Sequence, residues 1–105
     1  MKFYLFIAFL FITAISSSQE FEMTGKVLDP EGNPLESATV YVEKPSDSTL
    51  VTYTISESKG NFTLSGSSKE KQLNLLVSYA GFKPFKKFVE VKEGTQNVEE
   101  LKLEL

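Results

Sequence analysis

The side chains that most often do chemistry in proteins are nearly missing from this chain. Among its 105 residues there is no histidine and no cysteine, and the 11 basic residues are all lysine. That removes the imidazole base, the thiolate nucleophile, the imidazole or thiolate metal site and the bidentate guanidinium fork together. Oxygen ligands remain. In Asp29-Pro30-Glu31-Gly32-Asn33 the acids and the amide alternate around a glycine, as oxygens do in a calcium loop. Such a loop needs further ligands, a distal glutamate at a fixed offset and helices on both flanks. Here the flanks alternate as strands, so the stretch reads as a turn defined by Asp29, Gly32, Asn33 and Pro34, with no metal. Two glutamates could cooperate as in a glycosidase, but the glutamates fall in turns and on outward strand positions. The expectation is a chain that is not an enzyme and carries no cofactor.

The elements that must position these residues begin late. "MKFYLFIAFLFITAISSSQE" has a basic Lys2, an apolar run from Phe3 to Ile15 and then small polar residues, which is the layout of a secretory signal peptide. The run is shorter than the roughly 20 apolar residues of a membrane span. Ser16 and Ser18 suit the positions before a cut, so cleavage is expected after Ser18. Residues 1–18 are then a leader and 19–105 one domain. With no cysteine after the run, lipid attachment is closed, and with none anywhere the domain must stand on its apolar core alone, which is marginal at this size. The net charge of −3, with lysines interleaved among glutamates, describes a solvated surface and argues against nucleic acid.

Seven short stretches alternate in the manner of strands, with turn signals between them. "EMTGKVLD" comes first, then the turn above. "ATVYVEK" puts Ala38, Val40 and Val42 on one face and Thr39, Tyr41 and Glu43 on the other. "TLVTYTIS", rich in β-branched residues, follows the breaker "PSDS". "NFTLSG" follows the turn at Gly60-Asn61. "LNLLVSYA" is the most apolar and is expected at a sheet centre. "FKPFKKFVEV" has Pro84 near its start, which suits an edge. "KEGTQN" reads as a turn, and "VEELKLEL" closes. Strands spaced by roughly 8 to 12 residues predict an all-β sandwich.

In this order, Gly25, Val27, Asp29, Gly32, Pro34, Leu35, Ala38, Val40, Gly60, Phe62, Ser78, Tyr79, Gly81 and Phe82 resemble the motifs of the carboxypeptidase regulatory-like domain. The resemblance spans essentially the whole chain after the leader. It departs at one place: where many members have glycine ahead of the alanine, this chain has Ser37. The longer "PSDSTLVTYTISESK" between Lys44 and Lys59 is similar to the variant at the N-terminus of outer-membrane receptors of the TonB-dependent type. The resemblance implies a seven-stranded antiparallel, prealbumin-like (Ig-like) β-sandwich used as an accessory module. Transthyretin-like hydrolases share the shape but rely on histidine and arginine, absent here.

Three candidate surfaces follow. Tyr79, Phe82, Phe85 and Phe88, with Lys83 among them, form an aromatic cluster able to stack carbohydrate or peptide, although core packing accounts for it as well. The last strand offers an edge that a partner strand could join. Asp47-Ser48-Thr49 is similar to the acceptor triplet of a Gram-negative O-glycosylation system, with Ser48 the acceptor. The functional expectation is an exported, non-catalytic interaction or scaffold module. It would be the periplasmic N-terminal domain, or a truncated piece, of a TonB-dependent outer-membrane transport receptor. Its partners would be the receptor's plug and barrel or the energy-coupling proteins, with membrane contact only through a partner domain. The rival expectation is a stand-alone periplasmic or secreted binder of carbohydrate or peptide.

Overall fold

Alternation of apolar and polar side chains decides which face each strand turns inward, and in this chain the inward faces all meet in one core. The structure, a computed structural model, describes residues 19–105; the expected leader lies outside the described residues. Seven strands follow one another: β1 (Gln19–Leu28), β2 (Thr39–Glu43), β3 (Leu50–Ile55), β4 (Asn61–Ser68), β5 (Gln72–Ser78), β6 (Phe85–Glu90) and β7 (Gly94–Lys102). They form a three-stranded sheet in the order β4-β1-β7 and a four-stranded sheet in the order β3-β2-β5-β6. Met23 and Val27 of β1, Leu64 of β4 and Leu101 of β7 face Val40 and Val42 of β2 and Leu73, Leu75 and Val77 of β5, all fully buried. Among the described residues the core extends from Phe21 to Leu103. Fully burying each such side chain stabilises the fold by about 1.5–3 kcal/mol before ordering costs.

The sandwich and its seven strands are as expected, and β5 is central in its sheet with β6 at the edge. Two details differ. The β1–β7 ladder is parallel, while the other four are antiparallel. Parallel neighbours need a long crossover, and here strands β2 to β6 are that crossover. Second, β7 begins at Gly94 inside the stretch expected to turn, because Thr95, Gln96 and Asn97 pair with Glu22, Met23 and Thr24. Gly94 and Asn97 disfavour strands and only Thr95 favours one, so the pairing partner decides the state of this stretch.

Midway along that ladder, Gly25 of β1 stands opposite both Val98 and Glu99, a bulge with Glu99 at φ +68°. Gly25 is fitted to the spot: a Cβ there would lie 2.7 Å from the Phe62 ring and 2.8 Å from the Glu99 carbonyl. On one side the sheets are joined by the β3-to-β4 chain passage. On the other, β6 and β7 are separate edges, spanned by Lys87 Nζ donating to the Val98 carbonyl at 3.5 Å.

Candidate functional site

The turn between β1 and β2 is held by its own polar atoms. Asp29 Oδ1 accepts the backbone N–H of Glu31 at 3.0 Å and of Asn33 at 2.8 Å, and Oδ2 accepts the Asn33 side-chain amide at 3.3 Å. Gly32 supplies φ +88°, and Pro34 bridges back to Leu28. The Asn33 backbone N–H, more than any other group, holds the Asp29 carboxyl below its usual range, with the Asn33 side chain and the Glu31 N–H adding to it. Both oxygens of the carboxylate accept hydrogen bonds within the turn. Among the described residues no group of three or more acids is gathered as metal ligands would be.

Beyond the turn, the chain from Leu35 to Ala38 is clamped to the end of β3 by Ser56, a residue that sequence reasoning passed over. Its hydroxyl accepts the Ala38 N–H at 2.9 Å and donates to the Leu35 carbonyl at 2.7 Å. Its backbone pairs too: Ser56 N–H donates to Ala38 O, and Ser37 N–H to Ser56 O. Ser56 is buried. Ser37, at the place where the resembling family carries glycine, has φ +70°, so the left-handed geometry is kept without the residue that adopts it cheaply.

The aromatic cluster is divided by the fold. Tyr79, Phe82 and Phe85 are half-buried against the core, the first two with ring centroids 5.5 Å apart and planes inclined by 49°. Lys83 is exposed, its backbone N–H donating to Glu104 O at 2.7 Å. Phe88 stands apart, 57% exposed on the outer side of β6. Ser48 is exposed at the tip of the β2–β3 turn with φ +60°. There Asp47 Oδ1 accepts the Thr49 N–H at 3.1 Å, and hydrogen bonding to Thr49 holds the Asp47 carboxyl below its usual range. The β7 edge pairs with β1 on one side and, among the described residues, is open on the other.

Phe88 does have neighbours, and they come from three other strands. Register places Leu50, Glu43, Asn74 and Phe88 side by side across the four-stranded sheet, with Tyr53, Tyr41, Leu76 and Lys86 in the next outward row. The register shift near Glu43 sets Leu50 opposite it and exposed, while Val51 packs on the core. With Ile55, this outer face carries four of the largest exposed apolar side chains: Leu50, Tyr53, Ile55 and Phe88. The sequence signals for it were Phe88, named with the aromatic cluster, and Tyr41, on the opposite face from Val40 and Val42; that they share one surface with Leu50 and Tyr53 is set by cross-strand register.

A recess of about 940 Å³ lies elsewhere, at the end of the three-stranded sheet, lined by Glu20, Glu22, Ser65, Ser67, Glu93 and Thr95 among others. It is open and carboxylate-rich, with no buried ionisable group.

Comparison with known proteins bears on the fold. The family model of the carboxypeptidase regulatory-like domain matches residues 22–104. No curated protein sequence matches the chain. Among solved structures, the chain is similar to chlorocatechol 1,2-dioxygenase from Pseudomonas putida, with a TM-score of 0.64 at 10% identity, covering 86% of this chain and 62% of that one. It is also similar to the Bacillus anthracis TIE protein, with a TM-score of 0.62 at 16% identity, covering 82% of this chain and 16% of that one. A 9R-lipoxygenase from Cyanothece gives a TM-score of 0.57 at 15% identity, covering 80% of this chain and 16% of the enzyme. The chain therefore spans between 16% and 62% of these proteins' lengths. At such identities the likeness is one of fold.

Proposed function

Because the chain belongs to the carboxypeptidase regulatory-like domain family, we propose that it is a non-catalytic interaction or scaffold module, exported and placed at the N-terminus of a TonB-dependent outer-membrane receptor. The observation that carries the reading is adjacency: an apolar leader-like run ends at Ile15, and the family domain, matched from residue 22, follows at once. On this reading residues 1–18 are removed and residues 19–105 work in the periplasm, where the module meets the receptor plug or the energy-coupling proteins. The non-catalytic part is supported by the residue inventory: a chain without histidine, cysteine or arginine lacks the usual bases, nucleophiles and oxyanion clamps.

The test is the location and apparent mass of the native polypeptide, probed in fractionated source cells with an antibody against residues 19–105. A large band in the outer-membrane fraction is the expected result. A small soluble band near the mass of the cleaved chain would sink the receptor reading and leave a free-standing module.

A further inference from the structure

We propose that the outer face of the four-stranded sheet is a self-association surface, covered by the same face of a second copy of this chain. The two outer faces of the sandwich are unlike each other. On the three-stranded sheet the outward positions are polar: Glu22, Thr24 and Lys26 on β1, Thr63 and Ser65 on β4, Asn97 on β7. On the four-stranded sheet, Leu50, Tyr53, Ile55 and Phe88 are 54%, 62%, 47% and 57% exposed. Stability of the fold requires neither choice, since both sheets already bury an apolar inner face. Among the described residues the strands of this sheet contact their sheet neighbours, and β3 and β2 also contact β4 through the inner face, while the four large side chains on the outer face stay exposed.

The occupant is argued from the arrangement of the two outward rows. One row runs Tyr53, Tyr41, Leu76, Lys86 and the next Leu50, Glu43, Asn74, Phe88, each in order from β3 to β6. Place a two-fold axis parallel to the strands, between β2 and β5 and midway between two facing sheets. Every row then meets itself in reverse order. Tyr53 faces Lys86 of the second copy, a cation against an aromatic ring. Tyr41 faces Leu76, Leu50 faces Phe88, and Glu43 faces the Asn74 amide, which can donate to it. No charge meets its like. Sheets packed in this aligned way sit about 10 Å apart, a gap that these side chains fill.

The size of the face sets the strength. Rings of this kind bury about 150–250 Å² when fully enclosed, so each of the four exposed apolar side chains presents roughly 100 Å². Two copies together would then remove about 1,000 Å² once Tyr41, Leu76 and the Lys86 stem are included. That is the low end for a specific interface, so the dimer is weak, with a dissociation constant between about 1 µM and 1 mM.

Sedimentation velocity on residues 19–105, the chain as it stands once the expected leader is removed, tests this from about 10 µM to about 1 mM. The weight-average sedimentation coefficient is expected to rise with concentration toward that of a dimer. Tyr53→Lys, which sets a lysine against Lys86 of the second copy, should weaken association at least tenfold. Lys86→Glu added to Tyr53→Lys should restore it, because opposite charges then face each other, and the rescue shows that the single variant was folded. A chain that stays monomeric at about 1 mM overturns the proposal. So does association that Tyr53→Lys leaves unchanged, and so does a loss that Lys86→Glu fails to repair while the thermal melt of the double variant is normal.

Discussion

Removing the Ser56 hydroxyl should cost this domain a large share of its stability. The hydroxyl makes two hydrogen bonds, accepting from Ala38 N–H at 2.9 Å and donating to Leu35 O at 2.7 Å. In Ser56→Ala both are lost, for about 1 kcal/mol each, and the Ala38 N–H remains buried without its partner, at a further cost of about 1–3 kcal/mol. Relaxation that lets water reach the Leu35 carbonyl lowers the sum, so the expected loss is about 2–4 kcal/mol. A domain of this length has about 5–13 kcal/mol in total, and each kcal/mol moves its midpoint by about 4–8 °C. The assay is urea unfolding followed by circular dichroism, with Ser58→Ala, at an exposed turn position, as the control. The mechanism predicts a lower midpoint with little change in the denaturant slope, since the surface exposed on unfolding is unaltered. A Ser56→Ala loss under about 0.5 kcal/mol, indistinguishable from Ser58→Ala, would refute the clamp and mean that the Leu35–Ala38 segment satisfies its groups another way.

Ser37→Gly should raise stability by up to about 1 kcal/mol, the left-handed cost of serine at φ +70° outweighing glycine's unfolded-state entropy; a lowered urea midpoint would show that the Ser37 backbone is not strained. Phe85→Ala, at a half-buried ring on the core, should cost about 1–3 kcal/mol, whereas Phe88→Ala, at an exposed ring, should leave the melting temperature nearly unchanged. Equal losses would place both rings in the core. The Asp29 carboxyl is held below its ordinary value chiefly by the Asn33 N–H, so its ionised form binds the fold better than its protonated form. Its contribution is therefore present above the unfolded-state value near 3.8 and fades as pH falls through the lower folded value. Asp29→Asn should flatten that part of the stability–pH curve, and an unchanged acid limb would remove Asp29 from the account.

Much of the architecture was legible because one face of each strand pays no attention to water. Val40 and Val42 alternate with Thr39, Tyr41 and Glu43, and in the structure the valines are buried and the others are not. Pro84 likewise anticipated that β6 would be an edge. The start of β7 was not legible, since Thr95 to Asn97 become strand only by pairing with β1, some 70 residues away in sequence. Ser56 was hidden for the same reason: its partners are 18 and 21 residues back along the chain, and nothing in "TIS" marks the serine that turns inward. The candidate surface fared in between. Phe88 was singled out from its local cluster, but its neighbours proved to be Leu50, Glu43 and Asn74 from other strands. A sheet face is a property of register, which local spacing does not carry.

Register also bears on how such a module meets anything at all. A sandwich has two ways to recruit a partner: it can extend a sheet at an open edge or stack on an outer face. Here three of the four edges, β3, β6 and β7, are poorly suited to extension. β6 carries Lys86 and Lys87 and is entered through Pro84, β3 is six residues long and breaks register beside Glu43, and β7 is bulged at Glu99. Short length, charge and bulges are the devices that stop strands from adding. The same chain leaves Tyr53 and Phe88 uncovered on a face whose edges are guarded in this way. Stacking on that face satisfies apolar surface without asking any edge to pair, so association through it ends at two copies, whereas association through an edge can propagate. A Lys87→Ala variant separates the two routes, because Lys87 alternates to the opposite side of β6 from Lys86 and Phe88 and lies outside the rows that pair. If this lysine guards the β6 edge, the variant forms species larger than dimers while the face still pairs, and a variant that remains a reversible dimer at most would show that the edge is closed by something other than the Lys87 charge.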